Sequence, residues 1–339
     1  MKTDIIVHIG NKERPAVLFI HGLAIDKAIW INPSECTMFS GLLPLTALLS
    51  KKPLEQDFGY SRRRPGPVFP GVTTGIYPEA LLTLFHDMQS SGYTVATWSQ
   101  KRPVGEINTA VIELGEVINY VRDQHKNSII LVGHSRGGLI ARKYLMQGDD
   151  RVKGLITIST PHQGSSIARL AVYLSPLAPL IAPLLTQVKS RGMLKKVLKR
   201  THDLLASRAA VELLPDSDFF RSLQDKRLNN VRYMTIGGTS PALFSLYRWK
   251  WTASGRGDKK KWLLCPETIV SVPDIFEKII PKKIYPLELK KNMGDGIVSA
   301  ESSSIPWCDN HYLVPFNHAG ILFDRKLRKM VREFIEEIG

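Results

Sequence analysis

The chain has 339 residues, 43% hydrophobic and 23% charged, with a formal net charge of +15. This is the profile of a soluble globular protein, sized for one large α/β domain with insertions or for two domains. The most apolar stretch, 170–188, is broken by Pro176, Pro179 and Pro183, which excludes an ordinary membrane span. In chain order, residues 3–9 and 15–21 read as short buried strands rich in Ile and Val. Residues 51–75 are dense in Pro, Gly and Arg and predict an irregular excursion. A repeated alternation follows: helix over 78–91, strand over 93–98, helix over 105–126, strand over 128–133, helix over 137–147, strand over 152–158. In the longest of these helices, Ile107, Val111, Leu114, Ile118 and Val121 share one face. Strands alternating with amphipathic helices indicate a mostly parallel sheet flanked on both faces by helices.

Near residue 160 the alternation stops. The segment 163–230 is Leu- and Pro-rich, then basic, and its pattern is mainly helical. A strand returns at 231–238, and a second insertion at about 242–292 carries Trp249, Trp251 and Trp262. A last strand at 310–316 and a closing helix at 319–337 complete the chain. The expected organisation is a core of 1–165 and 231–339, interrupted at about 242–292, with a helical cap or lid at 166–230.

Between Gln163 and Met293 there are 23 Lys and Arg against 10 Asp and Glu, so +13 of the net charge falls there. An anionic lipid surface is one partner that such a region would suit, with the run 189–200 beside the apolar 166–188; a solvated basic face is the other reading. No recognition module argues for nucleic acid. Cys36, Cys265 and Cys308 are too scattered for a disulfide framework or zinc spacing. The first residues lack the form of a secretory signal, so the expected location is cytoplasmic, or secreted with a leader removed. Oligomeric state is not encoded legibly.

The chemistry concentrates at "LVGHSRGGLIARKY", residues 131–144. A serine on a sharp strand-to-helix turn has its hydroxyl thrust clear of the backbone, and the next N–H stands at a helix N-terminus. Gly133 and Gly137 meet the demand for close backbone approach on either side of Ser135. A nucleophilic serine needs a base, and the base an orienting acid, which on such a sheet follow in the order acid then histidine. His318, on a turn after the last strand, is the expected base; His311 falls at or before that strand and is expected to be structural. Asp295, between two glycines, is the expected acid, with Asp309 as an alternative acid or a metal ligand. Arg136 N–H and Leu23 N–H, the latter after His21-Gly22, are the expected oxyanion donors. His21, Gly22, His134 and His162 are expected around the substrate, with packing beside the strand 152–158 as the other reading for His162.

These pieces resemble an α/β-hydrolase of the bacterial lipase and esterase type. The resemblance rests on His21-Gly22-Leu23, Gly133-His134-Ser135-Arg136-Gly137, "TISTPHQGS" at 157–165, "GGTSP" at 237–241, Gly294-Asp295-Gly296 and Asn317-His318. It implies an α/β-hydrolase fold, hydrolysis of apolar acyl esters through an acyl-enzyme, and often a mobile helical lid. Thioesterase, amidase or acyltransferase chemistry on the same triad remains open, as does a silent lipid-binding role. No cofactor is required. Some relatives bind calcium near the histidine, where Asp309 would be a ligand, and others carry zinc, for which His86 and Asp87 offer a thin basis.

Overall fold

The computed structural model describes residues 4–38, 43–49, 72–73, 80–167, 169, 207–254 and 261–339. Its centre is a seven-stranded sheet. In chain order the strands are β1 (Asp4–His8), β2 (Ala16–Ile20), β3 (Val95–Ser99), β4 (Ile129–His134), β5 (Val152–Ile158) and β6 (Arg232–Gly238). An antiparallel hairpin, β7 (Phe244–Ser254) and β8 (Lys261–Val272), stands apart, and β9 (His311–Val314) returns to the sheet. The spatial order is β1-β3-β2-β4-β5-β6-β9, with β1 antiparallel and every other neighbour parallel.

The strands' period of two sorts their side chains into two cores. Val17 and Phe19 of β2, Ile130 and Val132 of β4, and Ile156 and Ile158 of β5 face one layer. Helices α1 (Leu84–Ser90) and α4 (Arg325–Glu336) cover it through Leu84, Phe85, Met88, Val331 and Ile335. The intervening residues Leu18, Ile20, Ile129, Leu131 and Leu155 face the other layer. There α2 (Ile107–Gln124) buries the expected face, and α3 (Arg136–Leu145) packs beside it.

The strands and helices of the sheet region fall where the sequence pattern puts them, most with shifted or shorter ends. Helix α1 starts only at Leu84 because Thr83 caps it: the Thr83 N–H donates to His86 Nδ1 at 3.1 Å, and the Thr83 hydroxyl donates to the Trp30 carbonyl at 2.6 Å. The expected closing helix is split. A 3₁₀ turn at Gly320–Phe323 precedes α4, and Asp324 caps α4 by accepting from Leu327 N–H at 2.8 Å.

The second insertion is one to which no secondary structure is assigned from the sequence. It is dominated by the hairpin β7–β8, to which Val72–Thr73 adds a short third strand. The expected excursion at 51–75 lies outside the described residues apart from 72–73. So does most of the expected cap, including the basic run 189–200. The described part of 166–230 contains two five-residue helices, Arg208–Glu212 and Asp218–Ser222. Among the described residues, no helix is long and apolar enough to cross a membrane.

Candidate active site

Strand β4 ends at His134 and α3 begins at Arg136, so Ser135 alone makes the turn. Its φ of 54° and ψ of −130° lie in a region that L side chains rarely adopt. The turn exists because neighbouring residues lack side chains. A Cβ on Gly133 would stand 2.5 Å from Gly138 N, and one on Gly137 would stand 2.3 Å from the Ile20 carbonyl oxygen. Real Cβ contacts do not come so close, so these two positions require glycine.

The loop after β2 passes directly over the serine. A Cβ on Gly22 would fall 3.3 Å from Ser135 Oγ, which places the next amide, Leu23 N–H, at the same edge of the sheet. Among the described residues, neither the Leu23 nor the Arg136 backbone N–H meets an acceptor.

Asp295 is 1% exposed. Its Oδ1 accepts from Ile297 N–H at 2.9 Å and Val298 N–H at 2.7 Å, and its Oδ2 accepts from His318 Nδ1 at 2.9 Å. Burial pushes this carboxyl up, but the charge and hydrogen bond of His318 and the two amides outweigh it and hold Asp295 below the ordinary carboxylate range. The backbones are joined as well, His318 N–H donating to the Asp295 carbonyl at 3.0 Å. With Nδ1–H committed to Asp295, the lone pair of a neutral His318 is on Nε2. Ser135 and His318 line one cavity without a hydrogen bond between them; such contacts commonly tighten only with substrate bound.

That cavity has a volume of about 300 Å³. Its walls are nearly all apolar: Ile25, Ile29, Met38, Leu45 and Leu48 come from one side of the chain, and Ile167, Leu213, Leu243, Phe276 and Leu289 from another. Among the described residues lining it, only His134 and His318 are titratable.

A sequence profile of the α/β-hydrolase fold matches residues 57–245, more than half of the chain. The chain belongs to the α/β-hydrolase family. Among solved structures, a Bacillus licheniformis lipase in its propeptide form is 16% identical with a TM-score of 0.50, over 98% of this chain and 53% of that one. The mature form of the same lipase is 14% identical with a TM-score of 0.47, over 98% of this chain and 97% of that one. An esterase from Exiguobacterium antarcticum is likewise 14% identical, with a TM-score of 0.46, over 98% and 96%. At such identities the likeness speaks to the fold alone. No curated protein matches the sequence.

The other expected residues of this α/β-hydrolase divide by whether they reach the cavity. Gly22 and His134 line it. His134 sits against the His318 ring, centroids 4.8 Å apart, and donates from Nε2 to the His318 carbonyl at 2.9 Å. Burial, helped by the neighbouring His318 ring, drops its pKa to about 3.

His21 and His162 do not line the cavity, which corrects the expectation. Nε2 of His21 accepts from Gln100 N–H at 3.0 Å, and burial lowers its pKa to about 4. His162 shares a 2.9 Å hydrogen bond with the Thr157 hydroxyl, and burial, helped by Arg142, holds it well below the ordinary range. Its carbonyl accepts from Arg142 Nη1 at 3.1 Å, and Arg142 in turn grips Asp225 through two bonds of 2.5 and 2.6 Å. Both rings are consumed in bracing the loops behind the turn. Nothing in the local pattern marks Gln100 or Asp225, whose roles depend on contacts across 79 and 83 positions.

His311, as expected, is structural, paired with the Thr235 hydroxyl at 2.8 Å. Asp309 is at the surface, 2.9 Å from Arg227, and does not approach His318 as an alternative acid. His86 caps α1, and Asp87 binds Arg328 through both oxygens at 2.7 Å, so neither is arranged as a zinc ligand.

Proposed function

We propose that this α/β-hydrolase is a serine carboxylester hydrolase, an esterase or lipase acting on apolar acyl esters. The observation that carries the reading is the Asp295–His318 pair, hydrogen-bonded and buried, opening with Ser135 onto an apolar cavity. Ser135 Oγ attacks the ester carbonyl carbon while His318 Nε2 takes its proton. Asp295 keeps His318 in the tautomer that leaves Nε2 free and stabilises the imidazolium that forms. The Leu23 and Arg136 amides donate to the oxyanion of the tetrahedral intermediate. His318 returns the proton to the departing alcohol, then draws one from water, whose oxygen attacks the acyl carbon and frees Ser135.

The cavity bounds the acyl group. A space of about 300 Å³ is the size of a small-ligand pocket. The absence of charged side chains on its described walls suits a hydrocarbon tail, since an apolar chain gains ~0.8 kcal/mol per buried methylene.

The test is hydrolysis of p-nitrophenyl esters from acetate to palmitate, wild type beside Ser135→Ala and His318→Ala, with and without lipid vesicles. Turnover that disappears in both variants while each stays folded supports the reading. Near-full activity in Ser135→Ala overturns it. Silence of the wild type on every ester moves the assignment to a thioester or amide.

A further inference from the structure

Glu288 is a buried charge that the proposed chemistry does not use. It is 3% exposed, and no basic side chain among the described residues forms an ion pair with it. Removing a carboxylate from water is costly unless donors replace the solvent. Here the donors come from two consecutive serines. Ser166 N–H donates to Oε1 at 2.6 Å, and the Ser166 hydroxyl lies 2.8 Å from Oε2 and 3.0 Å from Oε1. The Ser165 hydroxyl, 3.4 Å from Oε1, is nearer the Ile297 carbonyl at 2.6 Å and donates there.

The backbone of the same residue supports the turn that bears Asp295. Its carbonyl accepts from Gly296 N–H at 2.9 Å, and a Cβ on Gly294 would stand 2.5 Å from Glu288 Cα. Glu288 therefore faces both ways: its side chain grips Ser166, and its backbone underlies residues 294–296. Ser165, Ile167, Leu289 and Ile297, all on the segments it joins, line the cavity.

We propose that Glu288 is a positioning residue that fixes this wall of the cavity, and so sets the preference for acyl-chain length. The inference rests on the ester-hydrolase reading. A short acyl group touches only the surroundings of Ser135, and its turnover is insensitive to where Ile167 and Leu289 stand. A long acyl group must pack on them. Glutamine at position 288 keeps the shape but not the charge: its oxygen accepts from Ser166 N–H, its NH2 donates to the Ser166 hydroxyl, and both contacts lose their charge assistance.

The experiment compares wild type, Glu288→Gln, Ser166→Ala and the double variant on p-nitrophenyl acetate and decanoate, recording kcat and KM separately. The expected result is a fall of about tenfold in kcat/KM for decanoate, chiefly through KM, with acetate within about twofold. The double variant should be no worse than Glu288→Gln alone, because both changes act on one contact. Ser166→Ala leaves the carboxylate in place and keeps the test open if Glu288→Gln does not fold. An equal loss on both esters, or an unchanged length preference in the folded variants, overturns the proposal and leaves the ester reading intact. If the wild type hydrolyses no ester, the ester reading fails instead. Calorimetry with decanoate and acetate as ligands then decides on Glu288, a retained preference for decanoate in Glu288→Gln overturning the proposal.

Discussion

Replacing Asp295 by asparagine tests the site at its most constrained point. The carboxylate accepts three hydrogen bonds, two on Oδ1 from Ile297 and Val298 N–H and one on Oδ2 from His318 Nδ1. Asparagine has a single oxygen. Turning its NH2 toward the two backbone donors would forfeit both bonds, at about 1–3 kcal/mol for each buried group left unpaired. The oxygen therefore stays with the amides and the NH2 faces His318. Nδ1 must then accept, its proton moves to Nε2, and the nitrogen beside Ser135 can no longer take a proton. A histidine held in the wrong tautomer costs such a triad about 10⁴ in kcat, or about 5 kcal/mol of barrier. Stability should change little, because all three hydrogen bonds survive in number. The assay is kcat on a p-nitrophenyl ester at saturation, with near-ultraviolet circular dichroism to verify packing. A folded Asp295→Asn protein that loses less than about tenfold in kcat would refute the assignment of Asp295 as the orienting acid.

Two further outcomes follow from burial. His21, His134 and His162 all have their pKa lowered, to about 4 and about 3 for the first two. The unfolded chain binds protons on these groups more readily, so stability should rise with pH between about 4 and the unperturbed 6.5. Urea midpoints measured across that interval should climb by an amount worth several kcal/mol, and a flat profile would contradict neutral buried rings. The Arg142–Asp225 pair has both side chains 8% exposed. Asp225→Asn leaves Arg142 a buried, uncompensated cation and should destabilise the fold by about 3 kcal/mol, while activity well below the melting temperature persists. Loss of activity without loss of stability would show that this brace reaches the active site directly.

Much of the sheet was legible because its strands are buried on both faces and its helices carry one apolar stripe. Both patterns survive in a single sequence. The turn at Ser135 was legible for a different reason: its glycines are required by backbone contacts within a few residues. The pairing of Asp295 with His318 could be anticipated because an acid and then a histidine are sought in that chain order after a serine on such a turn. Distance in the sequence hid the rest. His21 and His162 looked like site residues since each follows a strand at the right edge of the sheet, yet their rings turn inward to Gln100 and Thr157. The hairpin β7–β8 was left unassigned although its signal is present: Tyr247, Trp249 and Trp251 alternate with Arg248, Lys250 and Thr252, the period of two of a strand.

One hydrogen bond has a wider consequence. Ser165 N–H donates to the Leu213 carbonyl at 2.7 Å, so residue 213 is back beside residue 165, a few positions after β5 ends at Ile158. An excursion that closes on itself in this way makes no demand on the order or register of the strands. Its length and composition are free to vary without moving the serine turn, which lies 30 residues upstream of Ser165 at the end of another strand. The described ends of this excursion are also tied to the body, Ser166 through Glu288 and Glu212 through Ile107 N–H, so any segment exchanged for it has to carry those contacts with it.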